Sequence, residues 1–216
     1  MTSANRPLLI AVDGPAASGK GTIARALARH FGLPHMDTGM LYRAVALSMF
    51  RFGGDPASEF EAARAVEGIA QVDPSDPELR SEIVGSIASR ISAYAAVRSA
   101  LLDRQRQFAA QSSGAVLDGR DIGTVVAPDA AVKLFVTASV EVRAQRRVRE
   151  LLERGMPAHL EDVLIDIRSR DARDAGREAA PLVQAKDANL LDTSGMDIEA
   201  AITAAIALVE EKLAHS

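Results

Sequence analysis

The sequence has no cysteine and no tryptophan, and aromatic residues fill only 4% of its 216 positions. Without cysteine there is no disulfide framework, no thiolate nucleophile and no sulfur-ligated zinc, which suits a reducing cytosol. The four histidines are dispersed: His30 and His35 are separated by Pro34, and no H-E-x-x-H pair exists. A dedicated transition-metal site held by protein side chains is therefore not expected. Net positive charge is missing too, because 25 Lys and Arg face 29 Asp and Glu for a formal charge of −4. No overall field exists to hold a polyanion or an acidic membrane surface, so neither nucleic acid nor membrane is an expected partner. Long apolar runs are absent as well. Leu8 to Val12 is too short for the core of a signal peptide, and Ala200 to Val209 is half of the roughly twenty residues a membrane helix needs. These absences predict a soluble, cytoplasmic protein. Lysine is scarce, since only Lys20, Lys133, Lys186 and Lys212 carry it and the other 21 basic residues are arginine. Arginine's planar fork suits bidentate phosphate binding, although genome composition alone could produce the same bias.

What is present is the composition of a globular chain, 48% hydrophobic and 25% charged, with no repeat, low-complexity tract or Gly/Ser linker. One domain spanning 1–216 is expected. Leu8-Leu9-Ile10-Ala11-Val12, bounded by Pro7 and Gly14, has the pattern of a strand buried on both faces. Ala115 to Asp118 and Val132 to Val136 are further strand candidates, and Asn189 to Asp192 is a weaker fourth. Helical stretches are predicted over Ile23 to Phe31 and near 40–51, 59–70, 77–90, 97–111, 140–153, 160–175 and 197–213. Strand and helix alternate, which predicts an α/β fold with an open parallel sheet flanked by helices.

The strongest chemical signal is Gly14-Pro15-Ala16-Ala17-Ser18-Gly19-Lys20-Gly21-Thr22, placed between a predicted strand and a predicted helix. Glycines let successive backbone N–H groups turn inward on a phosphate, the helix N-terminus adds partial positive charge, and Lys20 can reach the β and γ phosphates. The bland alternative is a Gly-rich turn that binds nothing, but it does not account for the strand-to-helix context. The hydroxyl of Thr22 comes one place later than in the strict G-x-x-x-x-G-K-[ST] form, which leaves its role as a direct magnesium ligand open. A nucleoside triphosphate is the expected ligand of these nine residues.

A phosphate loop by itself leaves kinases, GTPases and mechanical ATPases open. No N-K-x-D guanine signature is present. Two further constellations stand out: Asp37-Thr38-Gly39-Met40-Leu41-Tyr42-Arg43, and Asp118-Gly119-Arg120-Asp121-Ile122-Gly123-Thr124 after a predicted strand. Loops at the C-terminal ends of strands are where α/β sheets bind ligands. Taken alone, Asp118 and Asp121 would read equally as a turn or a helix cap.

In order and spacing these three segments resemble the bacterial cytidylate kinases, a family of P-loop nucleoside monophosphate kinases. Its pattern is G-P-x-x-[SA]-G-K-G-T, then D-[ST]-G-x-x-Y-R, then D-G-R-D-x-G-T. The resemblance continues through Val97-Arg98-x-x-Leu101 with Gln105-Arg106. It extends through Arg170-Asp171-x-Arg173-Asp174 with Arg177 and Ala180-Pro181-Leu182. It implies ATP-dependent, Mg²⁺-assisted phosphorylation of CMP, and of dCMP, by a monomer. Carried over by position, Ser89, Arg98 and Asp121 would read the cytosine ring, Arg43 and Arg120 the CMP phosphate, and Arg170 and Asp174 the ribose. Thr38 would line the same acceptor site. Lys20, Arg120, Arg170, Arg173 and Arg177 would stabilise charge on the moving phosphoryl group. Cytosine carries an exocyclic amine beside ring acceptors, so a carboxylate at Asp121 can accept from it while Arg98 donates. The resemblance also implies a mobile CMP-side insert over about 40–108 and a short lid over about 155–177, with Gly155 and Gly176 as hinges.

Other features allow plainer readings. Arg170, Arg173 and Arg177 are spaced to share one helix face, yet four acids balance the arginines between Asp166 and Glu178, as on an exposed helix. Arg143, Arg146, Arg147 and Arg149 read as a solvated face. Ile198, Ile202, Ile206 and Leu208 read as the core stripe of the last helix. Larger members of the family carry a three-stranded antiparallel insert; between Gly53 and Val84 this chain has no alternating strand pattern, and a short helical flap is expected there. Two alternatives stay open: a small P-loop kinase for another monophosphate or metabolite, and an ATP-binding switch that transfers nothing.

Overall fold

The computed structural model describes residues 7–215. Five parallel strands form one sheet in the order β2-β3-β1-β4-β5: β1 is Leu9–Asp13, β2 His35–Asp37, β3 Ala115–Gly119, β4 Val132–Thr137 and β5 Asn189–Asp192. Eight α-helices join and cover them: α1 Lys20–Phe31, α2 Thr38–Arg51, α3 Glu59–Ala65, α4 Glu82–Ile91, α5 Ala95–Ala109, α6 Val140–Glu153, α7 Leu160–Ala175 and α8 Ile198–Ala214. Among the described residues no helix is long and apolar enough to cross a membrane.

Side chains of β1 alternate between two cores, as the period of a strand requires. Ile10 and Val12 face α1 and α8 with Leu27, Ala201 and Val209, whereas Ala11 faces the opposite layer with Leu117 and Ile122. Ile10, Ala11 and Val12 are fully buried because both faces of the sheet are covered. A third cluster, built on Leu47, Met49, Ile91 and Leu101, holds α2 to α5 together as a helical body beside the sheet, and a smaller one joins α6 to α7.

The four strands read from the sequence are all present, shifted by no more than a residue at either end. β2 was not among them: three residues are too few to show a period, and His35, Met36 and Asp37 form a strand only because β3 offers an edge to pair with. The segment between Gly53 and Val84 contains helix and 3₁₀ turns and no strand, as expected. Two packing expectations are corrected. Ile198 is 68% exposed, and α8 buries Ala201, Ala205 and Val209, since small residues let it sit close to α1. Arg143 is only 4% exposed, so α6 does not present a uniformly solvated arginine face.

β1 connects through α1 toward one edge of the sheet, and β4 connects through α6 and α7 toward the other. The loop after β1 therefore stands at the switch point where such sheets bind ligands.

Candidate functional site

Three loops converge at the C-terminal ends of β1, β2 and β3. Strand register puts Asp13 beside Gly119 and Asp37 beside Asp118, so the phosphate loop, the Asp37–Arg43 segment and the Gly119–Val126 turn share one rim.

The phosphate loop runs from Gly14 to Gly19. A side chain at Gly14 would collide with the Val136 carbonyl of the next strand, and Gly19 adopts φ +89°, so both positions need glycine. Gly19 caps α1 without a side-chain hydrogen bond, and the first turn of the helix has no acidic residue. The amino end of its dipole is left for an external anion. The loop's carbonyls are held from outside. Arg143 donates to Ala16 O at 3.2 Å, while Thr193 Oγ1 donates to Ser18 O at 3.2 Å. Ser18 is fully buried, and its Oγ has no hydrogen-bond partner. Lys20 curls back to donate to Pro15 O at 3.4 Å. Burial, with the Arg120 guanidinium nearby, lowers its ammonium to about 8.

Beside this loop lies an open cleft of about 830 Å³, walled by Ala17, Ser18, Gly19 and Thr22, by Arg146 and Arg149 of α6, and by Thr193, Met196 and Asp197 leading into α8. The sequence reading missed its far wall. Arg146 is fixed by bonds to Thr193 Oγ1 at 2.9 Å and Thr193 O at 2.7 Å. Arg143 forms a bidentate pair with Asp171 of α7 at 2.9 and 2.6 Å. Arg147 pairs with Glu82 and Glu150, and only Arg149 of the four is exposed. Arginine spacing along a helix cannot distinguish these situations, because the partners come from other elements.

On the opposite side of the rim is a cavity of about 110 Å³, and its lining includes Thr38, Arg43, Ser89, Arg98, Arg120, Asp121, Arg170 and Asp174, together with Arg177. The eight residues expected to bind the acceptor thus meet in one place, drawn from α2, α4, α5, the β3 turn and α7. Arg173 is not part of the lining; it donates to Ser89 Oγ at 3.2 Å and Ser169 Oγ at 2.6 Å. Arg177 stands beyond the end of α7, so the three arginines do not form a single helical row, yet it reaches the cavity and bonds Ser92 Oγ at 2.7 Å.

Ion pairs cross this space. Arg98 binds Asp121, Arg120 Nε donates to Asp174 Oδ2 at 2.7 Å, and Arg177 binds Asp174. Tyr42 also touches Arg98, at 3.4 Å. The two aspartates respond in opposite directions. Burial raises Asp121 despite Arg98, whereas two guanidiniums, Arg120 and Arg177, hold Asp174 below the usual carboxylate range against its burial. Arg43 donates to Leu79 O at 2.7 Å and lies against Gly85, and burial with Arg170 nearby lowers it to about 10. Thr38 Oγ1 donates to Asp118 O at 2.8 Å.

Between cleft and cavity stand Lys20, Asp37 and Asp118. Burial and the Asp118 charge raise Asp37. His35 Nε2 lies 2.7 Å from Asp118 Oδ1. No group of three or more His, Cys, Asp or Glu residues able to hold a metal ion occurs among the described residues.

Comparison with known proteins agrees with this architecture. The family model described as cytidylate kinase matches residues 10–211. The cytidylate kinase of Xanthobacter autotrophicus is 58% identical over 96% of this chain and 99% of that protein. Those of Azorhizobium caulinodans and Methylocella silvestris are 55% and 53% identical, each over 94% of this chain and over 98% and 94% of their own lengths. A crystal structure of an uncharacterized protein from Eubacterium ventriosum shares the fold, with TM-score 0.58 at 13% identity, over 95% of this chain and 99% of that one. With the three motifs meeting at one sheet rim and this likeness running nearly end to end, the chain belongs to the cytidylate kinase family.

Proposed function

We propose that the chain transfers the γ-phosphoryl group of ATP to CMP, and to dCMP, forming ADP and the pyrimidine diphosphate. The observation that carries this reading is the juxtaposition of a phosphate loop with a separate cavity whose interior holds the Arg98–Asp121 pair. A switch that only binds ATP has no use for a second polar cavity lined with arginines.

In this reading the open cleft takes ATP, with the triphosphate on the loop's N–H groups and Lys20, and the nucleoside toward Arg146 and Thr193. The small cavity takes CMP. Asp121 accepts from the cytosine amine, Arg98 donates to a ring acceptor, Ser89 borders the base, and Thr38 borders the acceptor. Arg43 and Arg120 hold the CMP phosphate, and Arg170 and Asp174 the ribose. Uracil would turn a carbonyl oxygen toward Asp121, a repulsive contact costing on the order of 1–3 kcal/mol.

The reaction needs no protein nucleophile. An oxygen of the CMP phosphate attacks the γ phosphorus, and the bond from that phosphorus to the β-bridging oxygen breaks. The chain supplies alignment and positive charge through Lys20, Arg120, Arg170, Arg173 and Arg177. Magnesium, when bound with ATP, neutralises phosphate charge. Asp37 and Asp118 are hard oxygen donors beside Lys20, and Thr22 stands one turn along α1. A pair of carboxylates without a third ligand fits an ion held mostly by phosphate and water.

The acceptor cavity is far smaller than the 300 Å³ or more of typical ligand pockets, so CMP entry requires the helical insert and the 155–177 segment to separate. Gly155, at φ +72° with open space around it, is the better-suited hinge. Catalysis by a cytoplasmic monomer, free of nucleic acid and membrane, completes the proposal.

A coupled ADP-release assay across CMP, dCMP, UMP and AMP tests it. CMP is expected to be strongly preferred over UMP and AMP; equal rates with AMP would overturn the assignment, and ATP binding without any diphosphate product would favour the switch.

A further inference from the structure

Asp13 is the last residue of β1 and immediately precedes the phosphate loop. It is 5% exposed, and no arginine or lysine is hydrogen-bonded to it. Its two carboxylate oxygens are used separately: Oδ1 accepts from the Ile122 N–H at 2.8 Å, and Oδ2 accepts from the Gly123 N–H at 2.7 Å. These two amides open the turn Ile122–Val126, which directly follows Arg120 and Asp121. Burying a carboxylate is costly, and here burial, with the Asp121 charge, pushes Asp13 up to about 6 despite both N–H donors and the Lys20 ammonium. A neutral apolar residue would fill the end of a buried strand at lower cost, so the carboxylate has a geometric task.

The seat of the turn is tight. A Cβ on Gly123 would lie 3.1 Å from Lys133 Cδ and 3.4 Å from Asp13 Oδ2, so Gly123 rests against both the strand-end acid and the aliphatic stem of Lys133. That lysine is itself fixed, donating to Pro128 O at 2.6 Å and to Asp187 at 3.0 Å. Arg120 and Asp121 project from the start of a turn whose backbone is clamped below by Asp13.

We propose that Asp13 is a positioning residue for acceptor recognition: its two-pronged grip on the Ile122 and Gly123 amides fixes Asp121 and Arg120 at a set distance from the phosphate loop. The residue touches neither nucleotide. It links the frame of the acceptor site to the frame of the donor site through one side chain, with Gly14 following on one strand and Gly119 pairing beside it on the next. Asparagine at this position has one acceptor oxygen; its NH₂ would face an N–H, leaving one buried amide without a partner. The turn would shift on its seat, and Asp121 and Arg120 with it.

The inference rests on the reading of the small cavity as the acceptor site, and its test separates the two. Wild-type and Asp13→Asn protein are titrated calorimetrically with ATP alone and with CMP alone, and kcat and KM are measured for CMP and UMP. The expected result is CMP affinity weakened on the order of tenfold, a reduced CMP-to-UMP preference and ATP affinity within about twofold of wild type. Gly123→Ala pushes the same seat from the side of Lys133 without altering Asp13, and the same selective loss of acceptor affinity is expected. Should Asp13→Asn fail to fold, Gly123→Ala decides the matter. Equal losses for ATP and CMP, or no change in either, would overturn the positioning role. Failure of the functional reading shows instead in the wild-type protein, as an absence of preference for CMP.

Discussion

Arg98 of α5 and Asp121 of the β3 turn form an ion pair in the lining of the small cavity, with side chains only 11% and 8% exposed. The two are 23 residues apart in sequence, and Arg98 also reaches Tyr42 Oη and Ser92 O, each at 3.4 Å. In the proposed function a cytosine ring, with a donor beside an acceptor, inserts between them and satisfies both, and the pair serves as a polarity template for the base.

Asp121→Asn removes the charge that rejects a carbonyl while keeping the shape. Discrimination between CMP and UMP, read as the ratio of kcat/KM values, is expected to fall by about 1–3 kcal/mol, roughly five- to 150-fold. ATP affinity should hardly change. Unaltered selectivity in this variant would remove Asp121 from base reading.

Lys20 provides a pH test. Its ammonium is lowered from the usual 10.5 to about 8 by burial and by Arg120, so near pH 8 it is about half protonated. A bound triphosphate favours the charged form, which means that ATP binding takes up about half a proton at pH 8 and almost none at pH 6.5. Calorimetry in buffers of different ionisation enthalpy measures this. Proton release, or uptake that does not fall at lower pH, would contradict the lysine's placement against the phosphates. The same sign governs stability: between pH 8 and 10.5 the unfolded chain binds more protons at this residue, so its contribution rises with pH.

Arg143 ties three elements together through Ala138 O, Ala16 O and Asp171. Arg143→Ala removes the buried donor that these acceptors share and is expected to cost about 1–3 kcal/mol in urea unfolding. Lysine should not restore the loss, since one ammonium cannot reproduce a fork that reaches a carboxylate and two carbonyls. Near-wild-type stability of Arg143→Lys would show that charge alone matters there.

Glu82 of α4 pairs with Arg147 of α6 and, at 3.8 Å, with Arg170 of α7, bridging the acceptor side to the helices opposite. Glu82→Gln should favour a wider cleft in the free protein. The chain's lack of cysteine allows a dye pair to be placed cleanly at Glu67→Cys and Glu161→Cys, both exposed. The expected outcome is a longer mean distance in the variant without nucleotides and the same distance as the parent with both bound. Identical distances in the free proteins would show that the bridge does not hold the cleft.

The legible and illegible parts of the chain differ for physical reasons. The phosphate loop and β1 were readable because their requirements are local: glycine where a side chain would strike Val136 O, and an apolar run where both faces are covered. The residues expected at the acceptor came from motif order and from position in the family pattern, and the fold brings all eight to one cavity. β2 was not, because three residues take strand form only against β3. Nor were Arg143 and Arg146, whose partners Asp171 and Thr193 are 28 and 47 residues away, so helix spacing alone suggested a solvated face. On α8 the expected stripe was only partly right: Ile206 and Leu208 pack against the core, but Ile198 is exposed and the fully enclosed positions are Ala205 and Val209.

The most direct measurement is a crystal structure of the protein with CMP and a non-hydrolysable ATP analogue. The account predicts the cytosine amine within hydrogen-bonding distance of Asp121, Arg98 on a ring acceptor, and the CMP phosphate facing the γ phosphate across Lys20. A pyrimidine bound away from Arg98 and Asp121, with that ion pair intact, would contradict it.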